Sequence, residues 1–462
     1  MLEVNKIHNA IAIPIREINP FSITNGVFEE NGSFCKFTKH NRSKDCGFHR
    51  SAPLELSKLS KLEVIPNGIY GGIFFNHFGH FLIESIGRFW AFNDLELIKL
   101  PIYIFNLYGE VDLSDTSNFI VDVLNILNID IARIKVIKDP LRIRTLYVPQ
   151  SAYDFSSIGS PDPDFLNFIR KTTYQLQDTA AIRSKKNIYV SRSMFDPVRG
   201  SVAGENFFES YLKKENYEII YPEKLSFEDQ LITYLSADKI IFCEGSAIHT
   251  LIFTPDISAK IAVIMRRNDS GSAEIVYGQF NGIKKTVICL NNIIERQTFG
   301  LDDWNGISFI DFSETSRKLK DYGFVSNLFH ISSLEENRYK EEAILRYVTA
   351  IKDNPAYIAF LNNEKGTDQL NTPSQEHDDK ETKKSFKENL ESWDEPLLTD
   401  EEVEAILEAE GHLNPVDKLE YKTFTPVITE PSNGRFRFVG VFLTAVIALI
   451  IIWQTISPLF GN

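Results

Sequence analysis

His80 and Glu84 stand four residues apart in the run NHFGHFLIES, residues 76–85, and the rest of that run is mostly Phe, Leu, Ile and Gly. On a helix starting near Phe78, this spacing stacks both side chains on one face, and Arg88 continues the stripe. A carboxylate beside an imidazole fixes its tautomer and raises its basicity, which suits a general base. Phe78, Phe81, Leu82, Ile83, Ile86, Phe89 and Trp90 surround the stripe, so its charges must be paired or face a cleft. A buried His–Glu–Arg network that only orders the domain satisfies the same pattern. His77 precedes the helix and would cap it or line its entry.

Two further stretches carry groups suited to an anion. In IIFCEGSAIHTLIF, residues 240–253, a strand ends near Cys243 or Glu244 and a helix begins at Ser246. Gly245 lets the backbone approach a ligand, and the first helical N–H groups are unpaired, so a diphosphate would suit this turn. Many strand–Gly–Ser–helix turns bind nothing. No GxxxxGK[ST] is present, and Glu244 before Gly245 excludes a GxSxG nucleophile elbow. In YVSRSMFDPVRG, residues 189–200, a strand delivers Ser191 and Arg192 to its carboxyl end, with Arg199 in the next loop. The planar arginine fork donates two hydrogen bonds to a phosphate at once; a surface arginine paired with Asp196 is the plainer alternative. Asp162-Pro163-Asp164 reads as a turn rather than a metal motif.

The elements that must position these groups alternate. PIYIF (101–105), IKVIK (134–138) and LRIRTLYVP (141–149) read as strands, and SNFIVDVLNILNI (117–129) as an amphipathic helix. From residue 186 the order is regular: strand NIYVSR, helix 204–217, strand YEIIYP, helix SFEDQLITYLSA capped by Ser226, strand DKIIFCEG, helix SAIHTLIF, strand AKIAVIM. Such an order predicts an α/β fold with a parallel, doubly wound sheet. A further helix is expected at 334–352. Residues 1–70 mix short extended stretches with turns.

Charge is uneven along the 462 residues. Of a net −14, the segment 361–434 supplies most, with 19 Asp or Glu against 7 Lys or Arg. The remainder is close to neutral, so no nucleic-acid-binding surface is implied. The four cysteines Cys35, Cys46, Cys243 and Cys289 form no CxxC pair and no zinc spacing, which fits a reducing compartment. Residues 363–437 read as an acidic disordered linker. Within it, 393–412 holds LTDEEVEAILEAEG, a short helix that could dock on a protein partner or stay solvated. Residues 438–460 contain no charge in 23 positions and are long enough to span a bilayer. With Arg435 and Arg437 on their N-terminal side and no signal-peptide pattern at the start, the expected place is the cytoplasmic (inner) membrane, with the large N-terminal part in the cytoplasm.

Five motifs in order, GHFLIE (79–84), YVSR (189–192), YPEKLSFEDQ (221–230), SADKIIF (236–242) and EGSAIHTLIF (244–253), resemble glycosyltransferase family 61, in particular its bacterial capsular-polysaccharide-biosynthesis-like branch. The resemblance covers roughly residues 60–270. Departures are Gly204 for the usual Asn before Glu205, Glu244 for a frequent His, and His249 or Thr250 for an Asn common in the following helix. The resemblance implies a GT-B-like α/β fold, with two Rossmann-like domains, 1–180 and 181–362, facing a cleft. It implies inverting transfer of a sugar from a nucleotide-sugar to a saccharide or lipid-linked acceptor, with no metal and no cofactor beyond the donor. His80, supported by Glu84, would be the catalytic base. Arg192, Gly245 and Ser246 would hold the diphosphate, and Glu205 and Glu223 ribose or sugar hydroxyls. Ser191, Arg199, Glu244 and His249 complete the expected substrate-binding set. The alternative function is a catalytically lapsed module that scaffolds a membrane polysaccharide-assembly complex.

Overall fold

The computed structural model describes residues 2–370 apart from 20–21, 41, 43–47, 60, 116–117, 156–157 and 268–269. Fourteen strands are described: β1 (Val4–Asn19), β2 (Ser22–Phe28), β3 (Glu63–Phe75), β4 (Ile102–Leu107), β5 (Ile134–Val136), β6 (Leu141–Pro149), β7 (Lys186–Val190), β8 (Ser201–Val202), β9 (Tyr217–Ile220), β10 (Ala237–Cys243), β11 (Lys260–Ile264), β12 (Val287–Leu290), β13 (Ile293–Gln297) and β14 (Ile307–Ile310). They make a mixed α/β fold with three sheets, ordered β2-β1-β6-β3-β4-β5, β12-β11-β10-β7-β9 and β13-β14-β8.

The second sheet is parallel throughout, as the alternation of strands and helices predicts. Its strands β7, β10 and β11 are buried apolar runs, because helices cover both faces. Helices Glu205–Lys214 and Phe227–Leu235 connect them. The second is capped by Ser226, whose hydroxyl accepts from Asp229 N at 3.0 Å, worth about 1 kcal/mol. Strand order reverses between β7 and β10, which is where a crevice opens at the carboxyl edge of such a sheet.

The first sheet is mixed. β3 runs parallel to β4 and β6, while the 16-residue β1 pairs antiparallel with both β2 and β6. The three sheets and their helices fall within one compact unit, Met1–Phe360. One hydrophobic core is shared by the two larger sheets, with Phe74 and Ile104 from the first and Val190 and Phe242 from the second. Phe78 packs edge-on against Phe119 and Phe227 across it. Separate cores fill the outer faces, around Phe75 and Phe105 on one side and Phe208 and Phe312 on the other.

The expected helix from Phe78 forms in three pieces: an α-turn Phe78–His80, a π-turn Phe81–Ser85 and a 3-10 stretch Ile86–Ala91. Gly87, just after the π-turn, is in tight contact with another backbone segment. A methyl group there would lie 1.8 Å from the Tyr153 carbonyl oxygen, and the Gly87 carbonyl accepts from Ala152 N at 2.9 Å. The wide turn changes the register, so Arg88 leaves the His80–Glu84 stripe, contrary to the sequence expectation. Its guanidinium instead donates to the carbonyls of Pro149 and Phe37 and lies over Tyr70.

Other expectations meet plain structural answers. Asp162 caps helix Pro163–Ala181 by accepting from Asp164 N at 2.8 Å. Helix Ser333–Ile351 forms with a capping box at Ser332. Gly204 is left-handed, at φ 74°, a conformation open to Gly and Asn. Here the Tyr339 ring would stand 2.7 Å from a β-carbon at 204, so only glycine fits. Helix Pro355–Leu370 enters the first residues of the expected acidic linker. The rest of that linker, the 393–412 segment and the apolar run 438–460 lie outside the described residues. Among the described residues no helix is long and apolar enough to cross a membrane.

Candidate active site

β3 carries the chain directly into the turn that presents His80. The His80 Nδ1 lies 2.6 Å from Glu84 Oε1, so the i,i+4 contact forms despite the change of helix type. Glu84 is buried, and its other oxygen accepts from His40 Nε2 at 2.9 Å and Arg42 Nε at 3.1 Å. Arg42 also donates to the Tyr108 hydroxyl at 2.6 Å. Burial opposes the ionisation of Glu84. The hydrogen bonds from His40 and His80 and the nearby Arg42 charge outweigh it and hold the carboxyl far below the usual range. An ionised Glu84 requires the proton of His80 on Nδ1, which leaves Nε2 with its lone pair. The His80 side chain is one-third exposed, at 33%.

The second sheet brings the groups expected to meet an anion to the reversal between β7 and β10. Ser191 and Arg192 follow β7, while Glu244, Gly245 and Ser246 follow β10. A methyl group on Gly245 would stand 2.4 Å from Arg192 Nη1, so glycine lets the guanidinium lie directly against the backbone there. Arg192 Nη2 donates to the carbonyls of Arg199 and Gly200, and its Nε is buried without a partner among the described residues. Arg199 itself is exposed, and its charge reaches His77.

Glu205 and Glu244 are both turned into the protein. Glu205 Oε1 accepts from Tyr189 Oη at 2.8 Å, Ser191 Oγ at 3.0 Å and Arg192 N at 2.8 Å. Burial raises its pKa in spite of these bonds. Glu209, one helical turn on, accepts from Ser191 Oγ, Ser193 Oγ and Tyr221 Oη. These carboxylates fix the loop that carries Arg192. Glu244 accepts from Arg266 N at 2.9 Å, Arg267 N at 3.1 Å and Arg267 Nε at 2.7 Å. Glu223 lies exposed on the 3-10 turn Pro222–Lys224.

Glu244 thereby draws Arg266 and Arg267, at the end of β11, toward Arg192. Burial, then the charges of Arg192 and Arg267, push the Arg266 guanidinium down to about 9. Three arginines around one sheet edge form a positive site that an anion would relieve. Sequence reasoning missed Arg266 and Arg267. Their signal was MRR at the end of a strand, informative only once β11 is known to neighbour β10. It also missed His40, Arg42 and Glu209.

The two sheets meet at this point. A methyl group on Gly79 would lie 2.7 Å from Ser246 Oγ and 3.5 Å from His249 Cδ2. The turn bearing His80 therefore packs against the 3-10 helix Ser246–Phe253, and His80 influences His249 electrostatically. His80, Glu84, Arg192, Gly245, Ser246 and His249 are brought into one neighbourhood. A separate surface depression beside Lys6–His8 and Glu29–Asn31 shares none of these residues. Among the described residues no group of three or more His, Cys, Asp or Glu has the geometry to hold a metal.

A carboxylate-backed imidazole thus lies on a turn packed beside an arginine-lined sheet edge. Residues 78–261 match the family model Glycosyltransferase 61. The match spans the expected site from His80 to His249 and stops short of Arg266, Arg267 and Gln279. A comparison with curated proteins returned no match.

Proposed function

We propose that the protein is an inverting glycosyltransferase that uses a nucleotide-sugar donor and a saccharide or lipid-linked acceptor in the synthesis of a surface or capsular polysaccharide. The observation that carries this reading is the meeting of the His80–Glu84 pair with the Arg192–Gly245–Ser246 edge across the Gly79–Ser246 contact. Inversion requires a base on the face opposite the leaving group. His80, with its Nε2 lone pair and a carboxylate behind it to stabilise the imidazolium, suits that role. Arg192, Arg266 and Arg267 would offset the charge that grows on the leaving diphosphate, without calling on a metal. Gly245 and Ser246 would cradle that diphosphate, and Arg199 would approach it from the rim. The GT-B-like arrangement belongs to this reading through the family resemblance.

The charge-free run 438–460 would hold the enzyme at the cytoplasmic membrane beside a lipid-linked acceptor, with 393–412 available to a protein partner. The intact dyad weighs against a lapsed scaffold. Thermal shift of the full chain with UDP-, GDP-, CMP- and TDP-sugars identifies the donor, because a ligand bound to the folded state raises apparent stability. Turnover of that donor by wild type, His80→Ala and Arg192→Ala then tests the site. Equal turnover in all three would overturn the assignment.

A further inference from the structure

We propose that Gln279 fixes the tautomer of His249 so that its Nε2 is a hydrogen-bond acceptor, which selects a sugar hydroxyl in the transfer site while His80 takes the proton. This rests on the transferase reading given above.

Gln279 is fully buried on helix Ser270–Gly282. Its Nε2 lies 3.3 Å from the carbonyl oxygens of both Ile248 and His249, and two carbonyls can only be met by the amide's donor end. The Oε1 is therefore turned to His249 Nδ1, 2.8 Å away. An amide oxygen only accepts, so the His249 proton sits on Nδ1 and Nε2 keeps its lone pair. Nε2 has no partner among the described residues, and the adjoining Cδ2 faces Gly79, next to His80. Every charged or titratable neighbour acting on the ring opposes a second proton: His80 and His77 from the turn after β3, and Arg267 from the end of β11. Burial is the largest influence and, against the opposing Gln279 hydrogen bond, brings the imidazole down to about 4.

The two imidazoles thus share a tautomer and differ in what stands behind them. A carboxylate behind His80 stabilises the charged ring with a full negative charge; the amide behind His249 offers only a dipole, which burial outweighs. The first can take a proton during transfer, while the second can only accept a hydrogen bond. A neutral acceptor of this kind recognises a hydroxyl and rejects an analogue that lacks it.

The test uses the full chain labelled with 15N-histidine, with His249 signals assigned by their loss in His249→Phe. Long-range 1H–15N spectra are expected to show His249 protonated at Nδ1 and bare at Nε2, unchanged from pH 5.5 to 8. In Gln279→Glu, the midpoint should rise by at least one pH unit. A wild-type His249 that titrates between pH 6 and 7, or carries its proton on Nε2, overturns the proposal.

Kinetics with the donor found by thermal shift supply the second arm. His249→Phe should raise KM about tenfold with kcat within threefold, the scale of one lost hydrogen bond. His249→Gln, which places an amide near the Nε2 position, should recover part of that loss. A hundredfold fall in kcat at unchanged KM would put His249 in the chemistry and overturn the proposal. The arms separate two failures. The expected tautomer with no sugar transfer by wild type sinks the transferase reading and the proposal with it. The wrong tautomer with normal transfer sinks the proposal alone.

Discussion

Glu84→Gln is the most informative single change, because the geometry dictates how the amide must sit. On one side of the carboxylate, Arg42 Nε is a donor that cannot become an acceptor. The amide oxygen therefore stays with Arg42, and the NH2 turns to His80 Nδ1. That contact is favourable only if Nδ1 is bare, so the His80 proton moves to Nε2 and the lone pair facing the site disappears. Converting the carboxylate of such a dyad to an amide costs about 10⁴-fold in rate through the wrong tautomer. Stability falls too, by about 2–4 kcal/mol, because the buried carboxylate accepts from three side chains and charge-assisted bonds are worth roughly 1.5–3 kcal/mol each. The sign of the pH dependence follows from a carboxyl held below its ordinary 4.5: its contribution is present above pH 4.5 and is lost as pH falls toward the lower folded value. Urea unfolding of wild type and variant should differ most at pH 7 and converge in acid. Initial rates from pH 5 to 9 complete the assay. A folded variant with turnover within threefold of wild type would refute the role given to His80 and the tautomer argument behind it.

Three further outcomes are expected. Gly79→Ala should cost tenfold or more in turnover, since its methyl group would meet Ser246 Oγ at 2.7 Å and push apart two surfaces that must align; circular dichroism should show an unchanged fold. Arg267→Ala should lower stability by about 3 kcal/mol in denaturant titrations, because buried Glu244 keeps only backbone partners, and should weaken donor binding in calorimetry about tenfold. His49 and His249 are each lowered by burial from 6.5 to about 4 in the fold, so the unfolded chain binds more protons between those values. The urea midpoint should fall as pH drops from 6.5 toward 4, and His249→Gln should flatten that fall.

The second sheet was legible in the sequence because buried parallel strands are short apolar runs, and each helix between them opens with a cap or a polar turn. Ser226 and the NIYV, KIIFC and KIAVI runs needed no tertiary information. The long β1 was not legible: Asn9 in a left-handed conformation and Pro14 break its pattern, and its partner β6 lies over a hundred residues away. The π-turn was equally hidden: the Tyr153 backbone pressed against Gly87, just beyond it, is a partner over sixty residues away. Of the site, the i,i+4 pair and the two sheet-edge loops could be read from spacing alone. Arg266, Arg267, Gln279, His40 and Arg42 could not, because their nearness to the site comes from strand order, from a helix packed 30 residues on from His249, and from a loop more than 40 residues before Glu84.

The core shared by the two larger sheets has a consequence for how the molecule comes apart. Phe78, Phe119, Phe227 and Phe253 form one chain of ring contacts whose links come from both halves. Neither half can be pulled away without leaving the other's aromatic face in water. On heating, the two sheets should therefore melt as one cooperative unit, giving a single calorimetric peak for residues 1–360. A protease acting on the native state should find no cut that releases either half intact.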